Sequence, residues 1–166
     1  MKKYIILGHI YFAILIVFSI IFYLERTLYV DSAYQIYQLI NTGNFHINDN
    51  RFSMFLSELL PLSFIHLDLG LRKVILSYSL SFVLLFYAFY ILVVHLLKNY
   101  KAGILITLII IGIRHTFFHT ISETFQVLTF ATFFFAWLYY PLKIKNKILN
   151  TIIFLAVSLL SVALCF

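Results

Sequence analysis

Two acidic residues stand beside long apolar stretches, where a carboxylate can take part in chemistry. Asp31 follows the first apolar stretch by seven residues, and Glu123 occupies a short turn between the third and the fourth. A carboxylate at such a position can accept a proton from a substrate hydroxyl or bind a cation. Purely structural roles for the two acids are the alternatives. Asp31 can cap the helix that follows it, and Glu123 can be a solvated turn acid or a helix cap.

Two histidines precede Glu123 at a spacing that suits a metal ion. His115, His119 and Glu123 follow at i, i+4 and i+8, so one continuous helix would place all three on one face. Two histidines at i, i+4 can share a zinc-like ion, which makes this a candidate divalent-metal site. The alternatives are hydrogen bonding between helices and a turn that breaks the helix before Glu123.

The candidate substrate-binding residues are cationic or can become so. Arg51 directly precedes an amphipathic stretch, and a guanidinium makes bidentate bonds to phosphate oxygens. Lipid head groups would satisfy Arg51 equally well. The remaining candidates lie just before Glu123: Arg114, His115 and His119. Three polar residues inside apolar stretches are instead expected to form hydrogen bonds between helices: His9, His95 and Gln126.

The elements that position these residues are membrane helices. Hydrophobic residues make up 63% of the chain and charged residues 11%, whereas a soluble domain is nearer half apolar and about a quarter charged. The net charge of +6 comes largely from lysines at the ends of apolar stretches, which does not indicate nucleic-acid binding. The single Cys165 allows no intrachain disulfide and no cysteine metal cluster.

The hydropathy pattern predicts an all-α fold, a polytopic membrane bundle of about five transmembrane helices. Residues 1–166 are read as a single transmembrane domain with a long loop at 25–73. The third span reaches membrane length only if Arg114 and the two histidines lie in its last turns. The predicted spans are 4–24, 74–97, 102–120, 124–142 and 148–166.

The distribution of lysine and arginine predicts a cytoplasmic N-terminus. In that orientation seven of these residues lie inside and five outside, and the inner loops are the short, lysine-rich ones. Arg72 and Lys73 would lie outside in this orientation and argue against it. The first apolar stretch begins after Lys2 and Lys3 and ends in bulky residues, which favours an uncleaved span over a signal peptide. The loop at 25–73 and the turn at Glu123 then share the outer face of a bacterial inner (plasma) membrane.

The long loop is expected to contain two amphipathic helices lying on the membrane surface. The first begins with Asp31 and Ser32 as its cap, runs to about Thr42 and ends at Gly43 in the left-handed conformation. Its predicted apolar face consists of Ala33, Ile36, Tyr37 and Ile40, with Gln35 off that face. The second helix is bent or ended by Pro61. Its predicted apolar face consists of Phe52, Phe55, Leu56 and Leu59.

Taken together, these elements resemble the N-terminal part of the GT-C superfamily of membrane glycosyltransferases. The similarity is nearest to the branch of aminoarabinose transferases and protein O-mannosyltransferases. The similarity rests on three features. An outer acid follows the first span, in Asp31–Tyr34, and the helix that it begins ends in a glycine turn, in Leu39–Phe45. A second acid precedes the fourth span, in Ser122–Phe125.

The resemblance implies an enzyme that transfers a sugar from a polyprenyl-phosphate carrier on the outer face. Asp31 would be the catalytic base or the acid that orients the substrate, and Glu123 the second catalytic acid. The cofactor stays open: such a transfer needs cations near the leaving phosphate, which Arg51, Arg114 or a divalent metal could supply, and His115, His119 and Glu123 are the candidate ligands of that metal. Because the resemblance covers only the first half of such an enzyme, the chain would belong to a larger fold, and a downstream partner chain could complete the bundle.

Two other functions are open. The chain can be a non-catalytic integral membrane subunit or a truncated fragment with this fold. A small transporter component is disfavoured, because transporters place polar groups or broken helices near the middle of the membrane. The charges of this chain gather at the ends of its apolar stretches. Membrane lipids are expected partners in every case, and nucleic acid in none.

Overall fold

The computed structural model describes residues 2–46, 54–111, 117, 123–139 and 147–165, and within these ranges all regular structure is helical. The predicted all-α class is therefore confirmed. The helices are α1 (Lys2–Ile21), α2 (Tyr23–Thr27), α3 (Val30–Thr42), α4 (Phe55–His66), α5 (Leu71–Ile91), α6 (Tyr100–Ile111), α7 (Glu123–Leu138) and α8 (Lys147–Cys165). A π-helical turn, Leu92–Leu96, continues α5.

Two helices in the described part of the chain are long and apolar enough to cross a membrane. They are Lys3–Ile21 and Leu71–Leu96, which correspond to the first two predicted spans. The apolar helices Phe55–His66, Tyr100–Ile110 and Thr124–Leu138 are shorter. A bilayer requires about 20 residues of helix. The described residues therefore support two of the five predicted spans by length and composition.

α5 is the central helix and contacts α1, α2, α4, α6 and α7. The core between α1 and α5 is aromatic, with Phe12, Phe82, Phe86 and Tyr90 almost completely buried. α1 approaches α5 closely at Gly8, where a Cβ atom would collide with the Tyr90 hydroxyl. The Tyr90 hydroxyl in turn donates a hydrogen bond to the Ile5 carbonyl at 3.0 Å. The absence of a side chain at Gly8 thus allows α1 and α5 to approach each other this closely.

A short link folds α6 back onto the end of α5. Lys98 takes a left-handed φ of 53°, and the Asn99 Oδ1 accepts a hydrogen bond from the Ala102 N–H at 3.2 Å. At Gly103 a Cβ atom would collide with Val94, so the two helices are in close contact. The chain therefore turns here within three residues, between the predicted spans 74–97 and 102–120.

α3 ends as predicted but begins earlier and buries a different face. It ends at Thr42, and Gly43 has a left-handed φ of 63°, which confirms the predicted glycine turn. Its N-cap is Tyr29, so the expectation that Asp31 caps the helix is wrong: Asp31 lies in the first turn. The inward face consists of Ser32, Gln35, Ile36 and Leu39, whereas the predicted apolar residues Tyr37 and Ile40 are exposed.

α4 also differs from its prediction in two respects. Pro61 does not end the helix, which continues to His66. The buried residues are Ser57, Glu58, Pro61 and Leu62, while Leu59 of the predicted apolar face is 41% exposed. Phe52 lies outside the described residues. Lipid is as apolar as a protein core, so an apolar stripe near a bilayer does not reveal which side of a helix faces inward.

Candidate functional site

The most unusual acid in the structure is Glu58, on the inward face of α4. Its side chain is 0% exposed. One carboxyl oxygen, Oε2, accepts a hydrogen bond from the His46 backbone N–H at 3.0 Å. The other, Oε1, has no hydrogen-bond partner among the described residues. Burial raises the pKa of Glu58 to about 7, and the hydrogen bond from His46 partly opposes the shift.

Glu58 lies in a layer where α3 and α7 meet α4, and buried polar side chains of all three helices belong to this layer. Neighbouring Ser57 accepts a hydrogen bond from the Gln126 side-chain amide at 3.2 Å, which ties α4 to the first turns of α7. The side-chain carbonyl oxygens of Gln35 and Gln126 are buried and have no donor among the described residues. Buried acceptors without donors are costly. A protonated Glu58 supplies a donor inside this layer, which agrees with the direction of its pKa shift.

A carboxyl group with a pKa near 7 can give or take a proton at neutral pH, which is the property of a general acid or base. Burial keeps Glu58 away from solvent, so a substrate would have to enter the layer, or a neighbouring group would have to relay the proton. The direct effect of Glu58 is structural, because its bond to the His46 N–H fastens the segment after α3 to α4.

The predicted catalytic residue Asp31 lies at the surface. It is exposed in the first turn of α3, where the positive end of the helix dipole favours an anion. The residues on either side of it differ in environment: Ser32 is buried and Val30 is 79% exposed. Asp31 is therefore held by a helix that packs on its neighbours, and its carboxylate is open to a substrate.

The second predicted acid stands on a helix that also reaches α4. Glu123 is the first residue of α7, and its side chain lies outside the described part. Three residues later, Gln126 contacts Ser57 of α4. Since α3 also packs on α4, both predicted acids belong to helices that meet this one element.

The remaining candidates, Arg51, Arg114, His115 and His119, lie outside the described residues. The condition for the metal site, one continuous helix from His115 to Glu123, falls on residues outside the described ranges, apart from Phe117, which lies in a turn, and Glu123, which begins α7. Within the described ranges there is no group of three or more histidine, cysteine, aspartate or glutamate side chains that could hold a metal ion.

Arg26 is a buried cation that links three parts of the chain. Its guanidinium donates to the Ser19 hydroxyl at 2.6 Å and to the Ser79 carbonyl at 3.2 Å. It also stacks on the Phe117 ring, with the guanidinium carbon 4.2 Å from the ring centroid. Burial lowers the pKa of Arg26 to about 9, so the group remains a cation at neutral pH. Phe117, which stands between α6 and α7 in the sequence, is thereby held beside α2.

The polar residues inside the apolar helices make the bonds expected of them. His9 Nε2 lies 3.0 Å from His95 Nε2, and Gln126 bonds Ser57. These contacts confirm the predicted hydrogen bonding between helices. An apolar groove of about 470 Å³ lies between the N-terminal half of α1 and α6. It is at the end of α1 away from α3, so it is separate from the layer that contains Glu58.

Sequence reasoning missed both Glu58 and Arg26. Glu58 is the one acid in the mostly apolar Phe55–Ile65 stretch, and an acid in such a stretch is often functional, but the sequence does not show which side of the helix faces inward. Arg26 follows the first apolar stretch directly and looked like a topology signal. Comparisons of the chain with protein-family models, with curated proteins and with solved structures gave no match, so function is inferred from the residues themselves.

Proposed function

We propose that the chain is an integral membrane protein of a bacterial inner membrane with a cytoplasmic N-terminus. Two helices of sufficient length and hydropathy support this placement. After Lys3 the outward surface of α1 is apolar, which suits lipid and not water. Its exposed apolar residues include Ile6, Leu7, Ile10, Val17 and Ile21. In this orientation α3 and α4 lie at the outer face, and five spans complete the bundle.

Within that membrane we propose a GT-C-like glycosyltransferase module. One observation carries the proposal, the order of elements between the first two long helices. After α1 the chain forms a surface helix with an exposed acid in its first turn, then a left-handed glycine, a second helix and the long α5. This is the arrangement on which the resemblance to the GT-C superfamily rests.

The proposed reaction transfers a sugar from a polyprenyl phosphate to an acceptor hydroxyl. The hydroxyl oxygen forms a bond to the anomeric carbon as the bond from that carbon to the phosphate oxygen breaks. Asp31 takes the proton of the hydroxyl, and the polyprenyl phosphate leaves with the bonding electron pair. Cationic groups stabilise the departing phosphate, a role proposed for Arg51, Arg114 and the histidines His115 and His119. Glu123 acts as the second acid, and a divalent metal can assist.

The test is transfer of a radiolabelled hexose or pentose from a polyprenyl phosphate in membranes that contain the chain. Asp31→Asn is expected to abolish transfer while the amount of protein in the membrane stays the same, because the amide cannot accept the proton. Asp68→Asn is the matched control. Asp68 has a left-handed φ of 53°, a conformation that asparagine tolerates, and transfer should persist. Wild-type rates in Asp31→Asn would refute the catalytic assignment.

A non-catalytic membrane subunit is the second candidate. The observation in its favour is α8, which within the described part contacts α7 and exposes a row of large apolar side chains, among them Ile152, Leu155 and Leu159. Such a surface suits further helices of a partner chain as well as lipid. Purification in a mild detergent distinguishes the two. A subunit would elute with a partner chain and would show no transfer with any donor tested.

A further inference from the structure

Another polar cluster in the described part of the chain lies between α1 and the end of α5, away from the layer that contains Glu58. It consists of His9, Tyr87 and His95. The Nε2 atoms of the two histidines face each other at 3.0 Å, and the other ring nitrogen of His9, Nδ1, lies 3.0 Å from the Tyr87 hydroxyl. The two imidazole rings are stacked, with centroids 5.2 Å apart and an angle of 29° between their planes.

A π-helical turn in the backbone brings His95 close to His9. His95 lies in the π-helical turn Leu92–Leu96. In a regular helix of 3.6 residues per turn, His95 would lie about 80° around the axis from Tyr87, and the wider π-helical turn reduces that angle. Both side chains can therefore reach His9. π-helical turns of this kind are frequent at functional sites.

We propose that His9 and His95 are the two protein ligands of a transition-metal ion, with Zn²⁺ as the ion that suits them best. Two imidazole nitrogens bound to tetrahedral zinc at about 2.0–2.1 Å lie about 3.3 Å apart. The observed 3.0 Å has to open by about 0.3 Å, and both rings have to turn so that the two Nε2 lone pairs point at the ion. Imidazole is a preferred ligand of zinc and of neighbouring transition metals.

The contact with Tyr87 matches what a metal ligand needs. A ligating histidine usually donates its second ring N–H to an oxygen, which fixes the tautomer and orients the ring. When the proton of the His9 ring is on Nδ1, it is donated to the Tyr87 hydroxyl 3.0 Å away, and Nε2 is then free to bind the ion. His95 binds through Nε2 with its proton on Nδ1. The two imidazoles stay neutral, so binding requires no net loss of a proton from them.

The site is open on the side of His95. His95 is exposed and His9 is partly buried, with Tyr90 packed edge-on to the His9 ring at 5.4 Å between centroids. The third and fourth positions of the ion are therefore free for water or for a ligand from outside the chain. A site with two protein ligands and open positions is suited to exchange of the ion and not to a permanent structural role.

The test is Zn²⁺ titration of the purified chain in detergent, without a histidine tag and in a background of Cys165→Ser, His115→Gln and His119→Gln, which removes the other candidate metal ligands. The proposal predicts one bound Zn²⁺ per chain, lost in both His9→Gln and His95→Gln. Tyr87→Phe should bind at least tenfold more weakly, because the orienting bond is removed. His66→Gln is the matched control: His66 is exposed at the end of α4, and binding should be unchanged.

A second measurement uses the wild-type chain, in case the histidine variants fold poorly. Modification of histidines by diethyl pyrocarbonate is followed by mass spectrometry with and without Zn²⁺. The proposal predicts that Zn²⁺ protects His9 and His95 and leaves His66 reactive. Equal modification in both conditions would overturn it. So would the absence of Zn²⁺ binding by the wild type, or binding that survives both His9→Gln and His95→Gln.

Discussion

Asp31 and Glu58 differ in their exposure to solvent, and therefore in whether a substrate can reach them. Asp31 is exposed in the first turn of a helix, open to a substrate. Glu58 is fully buried and holds the segment after α3 through the His46 N–H. The position of Asp31 after an apolar stretch could be predicted from the sequence. The burial of Glu58 could not, because it depends on which side of α4 faces inward.

The raised pKa of Glu58 predicts a stability that falls as pH rises. Its pKa is about 7 in the fold against an ordinary 4.5, so the folded chain holds a proton that the unfolded chain releases between these values. The stabilisation is complete below about pH 4.5 and is lost as pH rises through 7. The difference between the two values amounts to at most about 3 kcal/mol.

Glu58→Gln should remove this pH dependence, because glutamine is neutral throughout and can still accept the His46 N–H. The measurement is the midpoint of thermal unfolding in detergent between pH 5 and pH 8, where the wild type is expected to lose stability and the variant to change less. Glu25→Gln, at an exposed position, should follow the wild type. An identical pH profile for Glu58→Gln and wild type would contradict the account of Glu58.

At the scale of elements, the sequence predicts where helices lie better than which face they bury. The end of α3 could be predicted, because Gly43 is the residue type that a left-handed turn favours. Its inward face could not: Gln35 is buried while Tyr37 is 62% exposed. In water an apolar stripe turns inward, but beside lipid it can turn either way. For the same reason, the buried polar contact between Ser57 and Gln126 had no signal in the spacing of apolar residues.

The close approach of α1 and α5 predicts a strong effect of one methyl group at Gly8. In Gly8→Ala the new Cβ collides with the Tyr90 hydroxyl, and Tyr90 is held by its bond to the Ile5 carbonyl and by packing on Phe12. Overpacking of this kind usually costs about 1–3 kcal/mol. The thermal midpoint in detergent should therefore drop.

Ala13→Leu is the control for Gly8→Ala. It enlarges an exposed position of the same helix, so its thermal midpoint should stay near that of the wild type. If Gly8→Ala is as stable as Ala13→Leu, the close contact between α1 and α5 is not what the structure indicates.

For the whole molecule, the distribution of polar groups separates two regions along α1 and α5. One region, beyond the C-terminal end of α1, contains Arg26, Asp31 and Glu58. The other, near the start of α1, contains His9 and His95. Composition alone predicted an all-helical chain, since long apolar runs leave few other folds in a bilayer. The third predicted span runs on through Arg114, His115 and His119, which lie outside the described residues, so its length stays a prediction.

The central claim is that α1 crosses the membrane and places Asp31 on its outer face. The most direct measurement is labelling of single cysteines by a membrane-impermeant thiol reagent on intact cells, in a Cys165→Ser background. Asp31→Cys and Lys98→Cys both place the thiol at exposed positions, one before α5 and one after it. The account predicts that Asp31→Cys and Glu123→Cys are labelled on intact cells and that Lys98→Cys is labelled only after permeabilisation. Labelling of Lys98→Cys on intact cells, with Asp31→Cys protected until permeabilisation, would contradict it.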